Sequence, residues 1–213
     1  MDLKIIFLVI LGVVSLVYLA TLFFKESLLQ FILKGCLVLL ILAVYISGAN
    51  TILITIVMAL VFGWFGDVML LKISNLLRFR LGLASFLVGH ILYIVTMFSY
   101  ARPFNIIVLI ISAIVVAGYG ITIFRVIQPP KEMKIPVIAY EVILLTMAVF
   151  ALQFFLAQGE MLGAFVFIGS ICFVASDTLL TLLTFRKKNL YVFVMITYIA
   201  AQLLITLGFG LMR

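Results

Sequence analysis

The sequence predicts an all-α integral membrane protein, a bundle of eight transmembrane helices. Three observations carry this. Of its 213 residues, 68% are apolar and only 10% charged, against about 45–50% and about 25% in soluble chains. The apolar residues fall into eight runs, each near the roughly 20 residues that cross a hydrocarbon core. The polar connectors between runs are too short to hold a soluble domain. A soluble domain, a disordered chain and a disulfide scaffold are therefore excluded, and one transmembrane domain over 1–213 is expected.

The runs are cut by charges, Pro or polar turns. The first, 3–24, is longer than the apolar core of a signal peptide and no small-x-small cleavage site follows, so a retained span is expected. Lys25-Glu26 separates it from 28–47, and Gly48-Ala49-Asn50 separates that from 51–71. Lys72 to Phe79 precedes 80–100, and Ala101-Arg102-Pro103 precedes 104–127. Gln128 to Lys134 precedes 135–157, Gln158-Gly159-Glu160 precedes 161–185, and Arg186 to Asn189 precedes 190–211. Gly66-Asp67 and Ser176-Asp177 fall in spans three and seven, 110 residues apart. A weak four-plus-four repeat would produce that echo, and so would chance in so apolar a chain.

Basic residues exceed acidic ones, 14 to 7. Most lie in short connectors and form no basic stripe with interleaved aromatics, so they set orientation and give no nucleic-acid surface. The connectors after spans one, three, five and seven carry ten of them and the opposite side three. That bias puts the odd-numbered connectors in the cytoplasm and both termini outside. Cys36 and Cys172 lie within apolar runs and read as small buried residues.

Ionisable side chains within hydrocarbon are costly and tend to mark function. Asp67 lies five residues before Lys72, Lys34 nine past Lys25, Glu141 seven past Lys134, Asp177 nine before Arg186, and His90 ten past Arg80. At about 1.5 Å per residue all five sit roughly 7–15 Å from the cytoplasmic surface. A shared depth points to one polar chamber in that half. Gly82, Ser85, Phe86, Gly89, His90, Tyr93 and Thr96 follow one stripe of span four; Gly163, Ser170, Phe173, Asp177, Thr181 and Thr184 do so in span seven, and Tyr191, Tyr198 and Gln202 in span eight. Such stripes serve as helix seams or line a site.

Asp67 and Asp177 are the expected catalytic pair, one carboxyl as general acid and one as base. Lys34 supplies a counter-charge or snorkels outward. Glu141 is a wall or lip residue, and His90 a supporting group or an interhelical hydrogen-bonder. Tyr93, Tyr140, Ser176, Tyr198 and Gln202 complete the wall. A single His leaves no His-rich metal site, and neither a metal nor a cofactor is expected. No GxSxG elbow, phosphate loop or HExxH occurs. Ser176 beside Asp177 is no nucleophile–base pair, because adjacent helix positions face apart.

Four segments resemble one family. They are Gly63-Trp64-Phe65-Gly66-Asp67-Val68-Met69-Leu70, Phe86-Leu87-Val88-Gly89-His90-Ile91-Leu92-Tyr93, Gly163 through Phe173-Val174-Ala175-Ser176-Asp177, and Thr197-Tyr198-Ile199-Ala200-Ala201-Gln202-Leu203-Leu204. In this order they are similar to the YhhN-type lysoplasmalogenases, eight-span membrane proteins, from Lys34 to Gln202. Two positions depart: Lys34 precedes Gly35 where the family often has Lys-Pro, and Ile199 follows Tyr198 where it often has paired tyrosines.

The resemblance implies an ether hydrolase that cleaves the vinyl-ether bond of lysoplasmenyl-ethanolamine or -choline. The products are a fatty aldehyde and a glycerophospho-base. Acid–base catalysis suffices, without metal or covalent intermediate. The partners implied are a lysophospholipid substrate and membrane lipid, with monomer and homo-oligomer both open. Bacterial members of the family set the expectation of an inner, plasma-membrane location with the polar site in the cytoplasmic half. Two other classes fit buried ionisable groups: a small-solute or proton transporter, and a non-catalytic lipid-binding protein. A transporter needs access from both sides, whereas these groups stop in one half.

Overall fold

The computed structural model describes residues 2–24, 27–72, 76–102, 104–186 and 190–212. Lys25, Glu26, residues 73–75, Pro103, Lys187, Lys188, Asn189 and Arg213, which enter the connector and charge assignments, lie outside the described residues.

The described residues form eight α-helices and no strand: α1 (Leu3–Thr21), α2 (Leu28–Gly48), α3 (Ile54–Met69), α4 (Leu76–Tyr100), α5 (Ile106–Ile127), α6 (Lys134–Gln158), α7 (Glu160–Arg186) and α8 (Tyr191–Gly210). Seven are long and apolar enough to cross a membrane. α3 has 16 residues, shorter than its apolar run, and a 3₁₀ turn continues it through Leu70–Lys72. The lost turn lies at its start. There the Tyr45 hydroxyl accepts from Leu53 N at 2.9 Å and donates to Thr51 O at 3.4 Å. Those bonds satisfy backbone groups that another helical turn would have used.

Local chemistry fixes the other ends. Asp2, Ser27 and Asn105 cap α1, α2 and α5 with side-chain oxygens, each accepting from orphan N–H groups of a first turn. α5 stops at Gln128 in the left-handed region, φ 47°, followed by Pro129 and Pro130, which cannot continue a helix. α6 reverses into α7 through Gly159 at φ 60°, a conformation only glycine adopts without cost.

The core lies among α2, α3, α4, α6, α7 and α8. α1 buries only Leu11 and Tyr18, and α5 only Ile127. Large apolar side chains elsewhere face outward, as on α5 at Ile107, Ile114 and Val115. A bilayer makes that arrangement cheap, because lipid tails are as apolar as the core. The tightest seams use glycine. A Cβ on Gly169 would lie 2.9 Å from Ile205 N and 3.0 Å from Ala201 O, so α7 and α8 meet backbone to backbone.

The neighbour relations echo across the two halves. α3 pairs with α4 as α7 pairs with α8, and α4 lies on α6 as α8 lies on α2. These are the pairings a parallel duplication generates. They carry Asp67 and Asp177 into equivalent helices, near the end of the bundle where α1, α3, α5 and α7 finish.

Candidate active site

Two clusters form at that basic end. In the first, Lys34 Nζ of α2 stands 3.9 Å from Asp67 Oδ1 of α3. Tyr198 of α8 donates its hydroxyl to Asp67 Oδ2 at 2.7 Å. Gln202 Nε2 donates to Tyr198 OH at 3.3 Å, and Tyr93 OH of α4 donates to Gln202 Oε1 at 3.0 Å. On the other side Lys34 donates to Tyr191 OH at 3.3 Å, which is 3.4 Å from Tyr18 OH. One polar chain thus joins five helices around a carboxylate only 4% exposed. In hydrocarbon such a chain persists only where each polar group has a partner.

The sequence sets this up by spacing. Tyr198 and Gln202 are four residues apart on α8 and share a face, and Tyr191 lies two turns before Tyr198 on the same side. Gly63 leaves room for the amide: a Cβ there would stand 2.9 Å from Gln202 Nε2.

In the second cluster, Tyr140 of α6 donates its hydroxyl to Asp177 Oδ2 of α7. Asp177 is 6% exposed, and among the described residues no cation pairs with it. It lines a cavity of about 20 Å³ with Tyr140, Glu141, Phe86 and Thr181. A cavity of that size holds about one water molecule. Glu141 Oε1 is buried there without a hydrogen-bond partner.

Aromatic rings separate the clusters. Phe86 lines the Asp177 cavity and meets Tyr198 edge-on at 5.9 Å. Phe173 touches both Tyr198, at 5.6 Å, and His90, at 4.6 Å. The arrangement is therefore two clusters across an aromatic partition, where a single polar chamber was expected.

Every candidate residue can now be placed. Lys34, Asp67, Tyr93, Tyr198 and Gln202 share the first cluster; Tyr140, Glu141 and Asp177 share the second. His90 is 1% exposed and packs against Tyr140 at 5.5 Å, but neither ring nitrogen has a partner. Ser176 Oγ donates to Val194 O at 3.1 Å and so ties α7 to α8 away from the Asp177 cavity. Among the described residues, no three His, Cys, Asp or Glu side chains gather as metal ligands would.

Sequence reasoning missed three participants. Tyr18 gave no signal, being one aromatic in an apolar run. Tyr191 stood on the recognised stripe of span eight but was not weighed. Trp64 donates its indole N–H to Gly35 O at 2.9 Å, fixing α2 against α3 one residue from Lys34; as the chain's single Trp it was findable.

Human lysoplasmalogenase TMEM86B is 34% identical over 130 residues, 60% of this chain and 52% of that protein. The chain thus spans about half the length of that curated relative. No solved structure matches. The YhhN family matches residues 29–209, a segment that includes both clusters except for Tyr18. On that match, together with its helical membrane architecture, the chain belongs to the YhhN family.

Proposed function

We propose that this protein is a lysoplasmalogenase-type ether hydrolase, acting on a lysoplasmenyl lipid as one transmembrane unit. The observation that carries the reading is a pair of buried carboxyls with unlike surroundings, one beside a cavity of one-water size. The name of the human relative supports the substrate class.

The surroundings suggest the roles. Asp67 has a cation, Lys34, and a phenol donor, Tyr198; it acts as the carboxylate that activates water. Asp177 has a phenol but no cation and lines the cavity; it acts as the proton donor. Asp177 gives its proton to the vinyl carbon beyond the ether-bearing one, leaving an oxocarbenium ion. Water adds to the oxygen-bearing carbon and yields a proton to Asp67. The hemiacetal then collapses: its hydroxyl proton returns to Asp177, Asp67 protonates the glycerol oxygen, and aldehyde leaves. Both carboxyls end as they began. The scheme is that of acid–base hydrolysis through an oxocarbenium ion. Phe86 and Phe173 limit the water that reaches the cation, and the partition must part for both carboxyls to reach the bond. The site would lie in the cytoplasmic half, with both termini outside, as the loop charges favour.

The test is aldehyde release from lysoplasmenyl-ethanolamine and -choline by purified protein with chelator present. Asp67→Asn and Asp177→Asn should each lose about 10²–10⁴-fold in turnover, the worth of positioned proton transfer, while still folding as helical bundles, Asp67→Asn at a lower unfolding temperature because it leaves Lys34 buried without its anion. Absence of aldehyde from folded wild-type protein, or full turnover in either variant, would defeat the proposal.

A further inference from the structure

A further cavity touches the second cluster only at Glu141. It is a groove of about 660 Å³ between α5 and α6. Its floor on α5 is small, Ala113, Ala117 and Gly120, and its walls include Phe124 and Phe150. From Leu109 to Arg125 it runs about 24 Å at about 1.5 Å per residue. That exceeds the roughly 15 Å of one leaflet's hydrocarbon, so a whole aliphatic chain fits along it.

Its two ends differ. Toward the basic end it shares Phe124 and Arg125 with a second pocket, of about 580 Å³, that also has Lys131 and Lys134 on its wall. Arg125, Lys131 and Lys134 are exposed. Among the described residues none of them has a hydrogen-bond or ion-pair partner, whereas Glu132 between them is taken by Arg80 at 3.7 Å. Three unpaired cations at the mouth of an apolar trough complement an anionic head on a single tail. Alongside, Glu141 lines both the trough and the Asp177 cavity, with its buried Oε1 unpartnered. That carboxyl is the wall between trough and cavity.

We infer that the α5–α6 groove holds the aliphatic chain of a single-tailed phospholipid, with its phosphate at Arg125, Lys131 and Lys134 and its linkage region beside Glu141. The inference rests on the hydrolase reading only for what happens next: chain and phosphate binding stand independently of vinyl-ether cleavage. Bilayer phospholipids share the phosphate, so the diacyl lipid of the surrounding membrane is the competitor that the experiment must include.

The experiment uses the full chain in diacyl-phosphatidylcholine nanodiscs. The probe is a 1-O-alkyl lysophosphatidylcholine with a photoreactive diazirine at the chain end and no vinyl ether. Labels should concentrate in 109–125 and 138–150 and be displaced by unlabelled 1-O-alkyl lysophospholipid. Ala117→Trp should abolish them. Ile121→Trp serves if that variant fails to fold, because Ile121 lines the groove yet is 56% exposed. Arg125→Gln with Lys134→Gln should cut labelling about tenfold, the loss expected for two surface charge contacts, without changing labelling by the phosphate-free 1-O-alkylglycerol analogue. Labels spread evenly over the lipid faces of α1 and α5, or indifference to the Trp variants or to the phosphate, would overturn the inference. Focused labelling without vinyl-ether hydrolysis would leave the groove standing and remove the hydrolase; hydrolysis with dispersed labelling would do the reverse.

Discussion

The α7–α8 seam and the α5–α6 contact are built from similar apolar sequence and behave oppositely. Along the seam, Gly169 and Gly208 bring backbones so close that a Cβ would meet Ile205 N and Leu162 O at 2.9 Å each. Along α5, Gly118 has nothing within 4 Å, and none of the helix's most apolar stretch is buried. Lipid tails compete equally for apolar side chains, so apolarity alone does not bind one helix to another. Small residues and interhelical hydrogen bonds do. The seam has both, with Ser176 donating to Val194 O across it. α5 has the Tyr119–Thr178 hydroxyl contact of 2.6 Å, and Arg186 and Gln153 holding its two ends. The two carboxyl clusters sit on the tightly joined helices, and the lipid-facing groove lies where one helix is loosely joined.

The contrast can be broken most strongly at Lys34. Lys34→Met leaves Asp67 buried without its cation, and removing one partner of a buried pair costs about 3–5 kcal/mol. Thermal unfolding in detergent should show that loss, and adding Asp67→Asn should recover most of it. Equal stability of the single and double variants would mean that the pair contributes nothing. Next, Gly169→Ala overfills the seam and should cost about 1–3 kcal/mol, read the same way. Tyr93→Phe removes one hydrogen bond to Gln202 and should cost about 1 kcal/mol; its turnover should fall less than that of Asp67→Asn. Smallest, and opposite in sign, Gly118→Ala on α5 meets open space and should stabilise by up to about 1 kcal/mol through helix propensity. A destabilised Gly118→Ala would show α5 to be held as closely as the seam.

The bundle was legible because the chain is punctuated: charges, prolines, Gly159 and the Gly48-Ala49-Asn50 turn mark the reversals, and apolar run length does the rest. Lys34, Asp67, His90 and Asp177 stood out for the same reason, since each is counted from a charged connector within an apolar run. Which carboxyl meets which phenol was not. Helical periodicity gives the face of one helix, but the rotation of α8 relative to α3, which brings Tyr198 to Asp67, depends on contacts between distant segments. The aromatic partition was hidden too. Phe86 and Phe173 lay on recognised stripes, yet in a chain with 20 Phe nothing distinguished a ring between two sites from one facing lipid. The late start of α3 was likewise a tertiary effect, owed to the hydroxyl of Tyr45.

The bond from Trp64 to the Gly35 carbonyl has an optical consequence. The chain has a single indole, so all of its intrinsic tryptophan emission comes from the joint between α2 and α3, next to Lys34. Any event that separates those helices would move the indole into a different dielectric and change its hydrogen bonding, shifting the emission. The first cluster thus carries its own spectroscopic reporter, with no label added.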